Sequence, residues 1–529
     1  MADRMGMERR GIRQKSRGFG RQWNEWKRAA AIPNRRWCSA GQWPAPQPAR
    51  RQRYATTMDL LLTHGYFLHE DPKELQIMKP YVPLGILYIC SHVRKKGVDV
   101  EVFDTTFSSR AELCNVLRSV PPSVLGVYAN LMTRTNVIEI LRLAKEAGWH
   151  TVVGGPEPGA YAAEYLEAGA DVVVIGEGEI TVEELLPALS ASRAGCRDLA
   201  ARLENICGIA FRGADGSLRR TPPRRQIADL DAQPWPEREA VDVDRYVRVW
   251  REHHGMGSVS LITARGCPYR CRWCSHEVFG KTHRRRRPAA VADELEWLLK
   301  RYQPDMAWLA DDVFTIHHGW LFQYAAELKR RGLRIPFECI SRADRLNAQV
   351  VDTLAELGCF RVWIGSESGS QRILDAMQRD VTVEQVQTAV SLAKSRGIKT
   401  GMFLMWGYLG EEIEDIEATV DHVKKTDPDV FFTTVSYPIK GTPYFGDVAQ
   451  QVVSLKSWAG GSDRDYRIRG RHSRRFYQNA DQLLRNEVEL SRLLNGNGEP
   501  IDPVVVAELQ GKITKAREGL RASGGEVEA

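Results

Sequence analysis

The chain has 529 residues, 43% of them apolar and 27% charged, with a formal net charge of +7. That length exceeds one ordinary domain, and the apolar fraction supports two or three globular cores. No run of eighteen or more uncharged apolar residues occurs, so a membrane span is not expected. The positive charge does not indicate a nucleic-acid-binding body: residues 1–57 hold fourteen Lys/Arg and three Asp/Glu, a net of +11, which leaves about −4 for the rest. Ten cysteines in a chain this long do not make a disulfide scaffold. Cys90, Cys114, Cys207, Cys339 and Cys359 sit within apolar patterns and read as buried thiols. Free thiols suit a reducing, cytoplasmic compartment.

Residues 1–57 are rich in Arg, Gln, Pro and Trp and lack steady periodicity. A disordered arm, an Arg-rich transit peptide and translated upstream sequence are the alternatives. The last is favoured because Met58 leads at once into a strand-like start, Asp59-Leu60-Leu61-Leu62-Thr63. Residues 58–200 read as the first domain. Strands are predicted at 59–64, 98–103, 124–128, 151–153 and 172–175, with helices at 84–96, 111–118, 135–147 and 161–168 between them. Basic residues or glycine close several of these helices, as the exposed carbonyls require. Short buried strands joined by helices predict a doubly wound, Rossmann-like parallel sheet, whose ligands bind at the carboxyl ends of its strands. Two loops stand there: Gly154-Gly155-Pro156-Glu157-Pro158 and Gly176-Glu177-Gly178-Glu179. Glycine lets a backbone approach a ligand closely, although ordinary βα turns carry the same residues.

Residues 201–255 read as a hairpin, Gly208–Arg212 and Leu218–Thr221 around Ala214-Asp215-Gly216, followed by a linker punctuated by Pro234-Trp235-Pro236. The second domain is predicted over 256–450. Its first strand, 258–263, leads directly into Gly266-Cys267-Pro268-Tyr269-Arg270-Cys271-Arg272-Trp273-Cys274. A structural zinc site closes four ligands, and a fully ligated iron–sulfur cluster needs four cysteines. Three thiols in CxxxCxxC spacing instead suit a cubane held at three corners, with its fourth iron open. A zinc or core-cysteine site with His276 as fourth ligand is the bland alternative.

The motif resembles that of the radical SAM enzymes. The resemblance implies a [4Fe-4S] cluster on Cys267, Cys271 and Cys274, whose open iron chelates S-adenosyl-L-methionine (SAM) and cleaves it reductively to a 5′-deoxyadenosyl radical. The family carries an aromatic residue before its last cysteine, where Trp273 stands. Further strands at 306–310, 336–340, 361–365, 400–406 and 430–436, with helices between, resemble the partial (β/α)6 barrel of this family. Chemistry in such barrels sits at the carboxyl ends of the strands. There stand Asp311 and Asp312, which either meet the SAM amino group or cap a helix, without the family's GGE triplet. Arg342 either grips the SAM carboxylate or pairs with Asp344. Gly365-Ser366-Glu367-Ser368 resembles the family's GxES segment, which implies that Glu367 accepts from the ribose hydroxyls. Gly407-Tyr408-Leu409-Gly410-Glu411 resembles its GxPGE turn, with Leu in place of Pro. His283 to Arg287 reads as a solvated charged face, or else as a contact to an anionic group. Residues 451–529 read as a mainly helical extension, the last ten as a tail.

A Rossmann-like domain before CxxxCxxC resembles the cobalamin-dependent radical SAM enzymes. The resemblance implies that Gly154, Gly155, Gly176, Glu177 and Gly178 lie close to cobalamin. Other cobalamin proteins carry a DxHxxG motif, but here Asp104-Thr105-Thr106-Phe107-Ser108-Ser109 has no His, so no protein ligand to cobalt is named. The activities implied are methylation of an unactivated carbon or phosphorus, or a cyclisation or rearrangement without methyl transfer as in the anaerobic porphyrin-ring cyclases; an inactive cobalamin-binding sensor is the reading of another class. The partners implied are a small-molecule, lipid-like or tetrapyrrole-like substrate and an electron donor such as flavodoxin or ferredoxin, with no nucleic acid.

Overall fold

The computed structural model describes residues 58–193, 199–496 and 502–528. The readings of residues 1–57 lie outside the described residues.

The first sheet runs through β1 (Leu60–His64), β2 (Val100–Phe103), β3 (Val124–Tyr128), β4 (His150–Gly154), β5 (Val172–Val174), β6 (Ile209–Arg212) and β7 (Leu218–Arg220), in the order β2-β1-β3-β4-β5-β6-β7. Strands β1 to β5 are parallel. They are apolar throughout because helices cover both faces. Leu61, Leu125, Val153 and Val173 pack against the helices Arg110–Ser119, Arg134–Glu146 and Ala162–Glu167. Leu60, Leu62, Val124 and Val172 face the opposite way, onto Leu84–Lys95 and Glu179–Arg193. The strand order reverses between β1 and β3, which opens a crevice at their carboxyl ends.

The hairpin assigned by sequence to the linker is β6–β7, the antiparallel continuation of this sheet, with Ile209 opposite Val174. It covers the β5 edge, whose backbone groups would otherwise stand unpaired. The stretch read as linker also contains a helix, Val243–His254, capped by Asp242 and closed by Gly255 in the left-handed region. Val243, Tyr246, Val247 and Trp250 are its buried stripe.

The second sheet contains β8 (Ser258–Leu261), β11 (Met306–Leu309), β12 (Phe337–Ser341), β13 (Cys359–Glu367), β14 (Lys399–Trp406) and β15 (Val430–Val435). Its order is β15-β14-β13-β12-β11-β8, with every neighbour parallel, so the chain winds one way through an open, six-stranded partial barrel. Between β8 and β11 lies a short antiparallel ribbon of β9 (Ala264–Arg265) and β10 (Arg284–Arg285). The capping box of Thr382 and Gln385 is formed at the head of its helix.

The extension holds a small hairpin, β16 (Val452–Ser454) with β17 (Tyr466–Ile468), and two helices, Arg474–Leu494 and Pro503–Ala522. Its end is not a free tail. The Gly470 and Ser473 amides donate to the Glu528 and Glu526 carbonyls, and Arg471 pairs with the Glu528 carboxylate at 3.1 Å. Buried Arg134 ties the extension to the first sheet, reaching Glu157 on the loop after β4 and Asp463 at 2.6 Å. Among the described residues no helix is long and apolar enough to cross a membrane.

Candidate functional site

The cysteine loop is launched by a buried clamp. After β8, the Thr263 and Ala264 amides donate to one oxygen of Asp311 at 2.7 and 3.0 Å, while the Thr263 hydroxyl and Arg285 occupy the other. Asp311 is thus engaged by the loop itself. It caps no helix, since the next helix begins at His318 with His317 as its cap. Its neighbour Asp312 lines the cavity of the first sheet, and burial and the Asp311 charge raise its carboxyl above the ordinary range. Gly266, at φ +84°, then admits the chain to Cys267; a Cβ there would lie 2.2 Å from the Thr282 carbonyl oxygen.

Cys271 is buried, whereas Cys267 and Cys274 are partly exposed. Arg342 and Arg379 each place a guanidinium nitrogen 3.8 Å from the Cys271 sulfur. A hydrogen bond from Cys274 and these two cations hold the Cys271 thiol well below its ordinary range. Arg342 also donates to Asp344 at 2.8 Å and to the Arg379 carbonyl at 2.8 Å, and lies over the Tyr269 ring. Its ion pair with Asp344 is therefore formed, and one guanidinium nitrogen serves the thiol. Trp273 packs against the buried cluster that contains Ile373, Met377, Tyr408 and Tyr444. The loop backbone is pinned beside it, from Arg272 N to the Met377 carbonyl and from Tyr444 N to the Arg272 carbonyl. Among the described residues no three Cys, His or carboxylate groups converge as a single-ion site.

Glu367 ends β13 at a register irregularity, with φ +63°. A non-glycine residue held there stores backbone strain. Its carboxyl lies 3.9 Å from Arg379, and burial pushes its pKa up to about 7. Glu411, at the turn after β14, accepts from the Gly407 amide at 2.5 Å, while its other oxygen has no partner among the described residues. Burial raises its pKa to about 8. A carboxyl raised on folding contributes stability below its unfolded pKa that is lost as pH rises through the folded value. The wild type is therefore expected to lose several degrees of melting temperature between pH 5 and about pH 8 relative to Glu411→Gln, measured by calorimetry at both pH values.

The crevice of the first sheet is a cavity of about 420 Å³. Its floor is the carboxyl edge of β1, β3, β4 and β5, and its roof is the segment from Ser275 to Gly280 that follows the last cysteine. Gly126, Gly154, Gly155, Gly176 and Gly178 all line it. A Cβ on Gly126 or Gly178 would come within 2.7 Å of Leu62 or 2.8 Å of Ile89. Gly155, at φ +123°, lies where a Cβ would meet the Ala129 carbonyl oxygen at 2.2 Å, whereas at Gly176, φ +90°, the nearest atom is 3.8 Å away. Gly155→Ala is accordingly expected to cost more stability than Gly176→Ala, beyond the ~1–3 kcal/mol of backbone strain common to both, and to deform the cavity floor; denaturant unfolding of the two variants compares them.

Glu177 lines the cavity, and both of its carboxylate oxygens are engaged by protein groups. One accepts from Arg265 at 2.8 Å, the other from Arg284 at 2.7 Å and the Ile227 amide at 2.8 Å. Arg265 also reaches Glu179 at 2.6 Å. The run expected as a solvated face is mostly buried ion pairs: Arg284 on Glu177, Arg285 on Asp311 and Arg286 on Glu294. The β9–β10 ribbon carries these arginines into the junction between the two sheets, and only Arg287 is largely exposed, beside Asp231. Asp104 bonds His64 at 3.0 Å and Tyr246 at 2.8 Å.

The structure brings Cys267, Cys271, Cys274, Trp273, Arg342 and Glu367 to one end of the barrel, and Gly154, Gly155, Gly176 and Gly178 to the neighbouring cavity. Sequence reasoning missed Arg379 and Arg265. Arg379 meets Cys271 across 108 positions, and no local spacing signals such a contact.

The chain matches the Radical SAM superfamily over residues 261–423 and the B12 binding domain over residues 77–186. It is 31% identical over 371 residues to an uncharacterized methyltransferase of Pyrococcus horikoshii, covering 68% of this chain and 77% of that one. It is 26% identical to an anaerobic magnesium-protoporphyrin IX monomethyl ester cyclase of Rubrivivax gelatinosus, over 71% of this chain and 68% of that one. Among solved structures it shares the fold of the radical S-adenosylmethionine methyltransferase TsrM of Kitasatospora setae with cobalamin and a [4Fe-4S] cluster bound. The TM-score is 0.61 at 22% identity, over 75% of each chain.

Proposed function

Because the chain belongs to the radical SAM superfamily, in the branch that also carries a B12 binding domain, we propose that it methylates an unactivated carbon, or a phosphorus, of a small-molecule substrate. The observation that carries this reading is the shared wall between the two sites. The segment leaving Cys274 becomes the roof of the glycine-lined cavity, so two cofactors would lie against one loop. The donor sets fit them. Three thiols with two flanking guanidiniums suit an anionic cluster that keeps one open iron. A floor from which side chains are missing on three successive strands suits the close approach of a flat ring.

The bound groups supply one-electron cleavage of SAM and delivery of a methyl group. The residues do the rest. Cys267, Cys271 and Cys274 hold the cluster, and Arg342 and Arg379 keep the buried Cys271 sulfur anionic. Glu367 accepts from the SAM ribose, from a strand end too rigid to drift. Trp273 and its aromatic neighbours fix the loop and exclude water. Gly154, Gly155, Gly176 and Gly178 form the corrinoid floor, with Glu177 shaping it through Arg265 rather than by direct contact. In this reading the chain works in a reducing cytoplasm and takes electrons from a flavodoxin-like or ferredoxin-like donor.

Cyclisation without methyl transfer is a second reading, favoured by the 26% identity to the cyclase. An anaerobic assay of reconstituted protein with SAM, reductant, cobalamin and source-cell extract separates the two. Formation of both 5′-deoxyadenosine and S-adenosylhomocysteine supports methyl transfer, and 5′-deoxyadenosine alone moves cyclisation ahead.

A further inference from the structure

The second sheet is aliphatic on the face under its helices and aromatic on the other. Side chains alternate across a strand. Val362, Ile364, Met402 and Leu404 belong to the core beneath the helices, and the partly buried Phe431 and Val435 pack against it. Trp363, Phe403 and Phe432 therefore project from the opposite, inner face, on the neighbouring strands β13, β14 and β15. Their rings form one layer. Trp363 lies 5.2 Å from Phe403 at 16° and 5.5 Å from Phe432 at 9°, and Phe403 lies 6.4 Å from Phe432 at 22°. Trp363 is pinned in its plane: Nε1 donates to one Glu338 oxygen at 2.9 Å, and Arg361 holds the other at 2.7 Å. Gly401 leaves the ring its room, since a Cβ there would stand 2.2 Å from it. Yet Phe432, which ends the layer, is 54% exposed. A lone exposed phenylalanine needs no explanation, but this one completes a fixed layer of three rings on the face that carries the site. Gly365 follows Trp363 on that face, roughly 7 Å along the strand. A Cβ on Gly365 would meet Arg379 Nη2 at 2.7 Å and Glu367 Oε1 at 2.8 Å. The layer thus continues directly below the Glu367 and Arg379 end of the barrel.

We propose that the substrate carries a flat, unsaturated ring system that packs on the exposed side of Phe432 and continues the layer, held below the thiol end of the barrel. The inference rests on reading that end as the SAM site. Aromatic rings attract one another in offset arrangements with centroids about 4.5–7 Å apart, worth about 0.5–1.5 kcal/mol beyond the area buried. A puckered, saturated skeleton gains only the area. An aromatic wall therefore selects for flatness, where an aliphatic wall would select for size alone. Because Trp363 is fixed by Glu338 and Gly401, the wall also orients what packs on it, and orientation decides which carbon faces the reacting groups. The same inner face carries a second aromatic pair. Trp308 of β11 lies between Ala307 and Leu309, which face the helices, and Tyr81 tilts over it at 6.4 Å.

The test uses the cluster-reconstituted full chain, without SAM or cobalamin, and the variants Phe432→Ala and Phe432→Leu. The probes are 2-naphthol, which is flat, and decahydro-2-naphthol, its saturated skeleton, each measured by anaerobic equilibrium dialysis. The wild type is expected to bind 2-naphthol about fivefold or more tightly than the saturated probe. Phe432→Leu keeps an apolar wall but loses the ring, so it should lose most of that preference and still bind the saturated probe. Phe432→Ala should weaken 2-naphthol binding on the order of tenfold. Iron content should be equal in all three proteins. No 2-naphthol binding by the wild type up to the solubility limit overturns the proposal. Equal wild-type affinity for the two probes does so too, as does a 2-naphthol affinity unchanged in both variants. A wild-type dimer in sedimentation that Phe432→Ala splits also overturns it, because the ring then meets a second copy of this chain. Failure of the SAM reading is a separate result: the wild type would form no 5′-deoxyadenosine with cell extract, whatever the dialysis shows.

Discussion

Cys271→Ser is expected to bring SAM cleavage below detection and to strip most of the iron, while the barrel stays folded. Cys271 is the most buried of the three loop thiols, and it alone faces two guanidiniums, Arg342 and Arg379. A thiolate there neutralises part of their charge. A serine hydroxyl does not ionise near neutral pH and offers iron a harder, weaker ligand. The loop backbone is held by bonds that do not involve the thiol, from Arg272 to Met377 and from Tyr444 to Arg272, so the fold should survive. Cys339→Ala is the matched control, a fully buried thiol within β12 on the side of the helices. It should lower the melting temperature and leave iron content intact. Iron and labile sulfide per chain, 5′-deoxyadenosine formation and calorimetry check all three statements. A Cys271→Ser protein that retained full iron and cleaved SAM would remove the cluster from this loop.

The second large effect is expected from Arg265, immediately before Gly266 and Cys267. Its side chain is 5% exposed and bridges Glu177 and Glu179 on the cavity loop of the first sheet. Removing it leaves the buried Glu179 carboxylate uncompensated, at about 3–5 kcal/mol, while Glu177 keeps Arg284. Arg265→Ala should therefore lower stability by about that amount and release both ends of the bridge. Cobalamin affinity and iron content should fall together, since the arginine lines the cavity and directly precedes the cysteine loop. Arg265→Lys should rescue little, since one ammonium does not span two carboxylates as the planar fork does. A variant with wild-type cobalamin affinity and iron content would show that the junction does not couple the sites.

Much of the architecture was readable locally. The five parallel strands of the first sheet and the six of the barrel fall at the predicted places within a residue or two, because uninterrupted apolar runs bounded by glycine are a short-range property. The hairpin around Asp215-Gly216 was legible as a hairpin but not as part of a sheet, since its partner strand is set by which edge stands open. The helix Val243–His254 had a legible stripe, Val243, Tyr246, Val247 and Trp250, obscured by the prolines just before it. The arginine run from 284 to 287 was misread because charge alone suggests solvent, and its acidic partners are remote in sequence, apart from Glu294.

The same division runs through the site. By itself the sequence determined the two sheets, the three thiols on one loop and the glycines at the strand ends, because each depends on spacing within a few residues. Only the tertiary structure decided that Asp311 clamps its own loop, that Glu177 answers Arg265 rather than a ligand, and that Arg379 joins Arg342 at Cys271. Those roles are hydrogen-bonded pairings of groups separated by 48, 88 and 108 positions in the chain. Coulombic and hydrogen-bond partners are chosen by distance in space, and that distance exists only once the cores have packed.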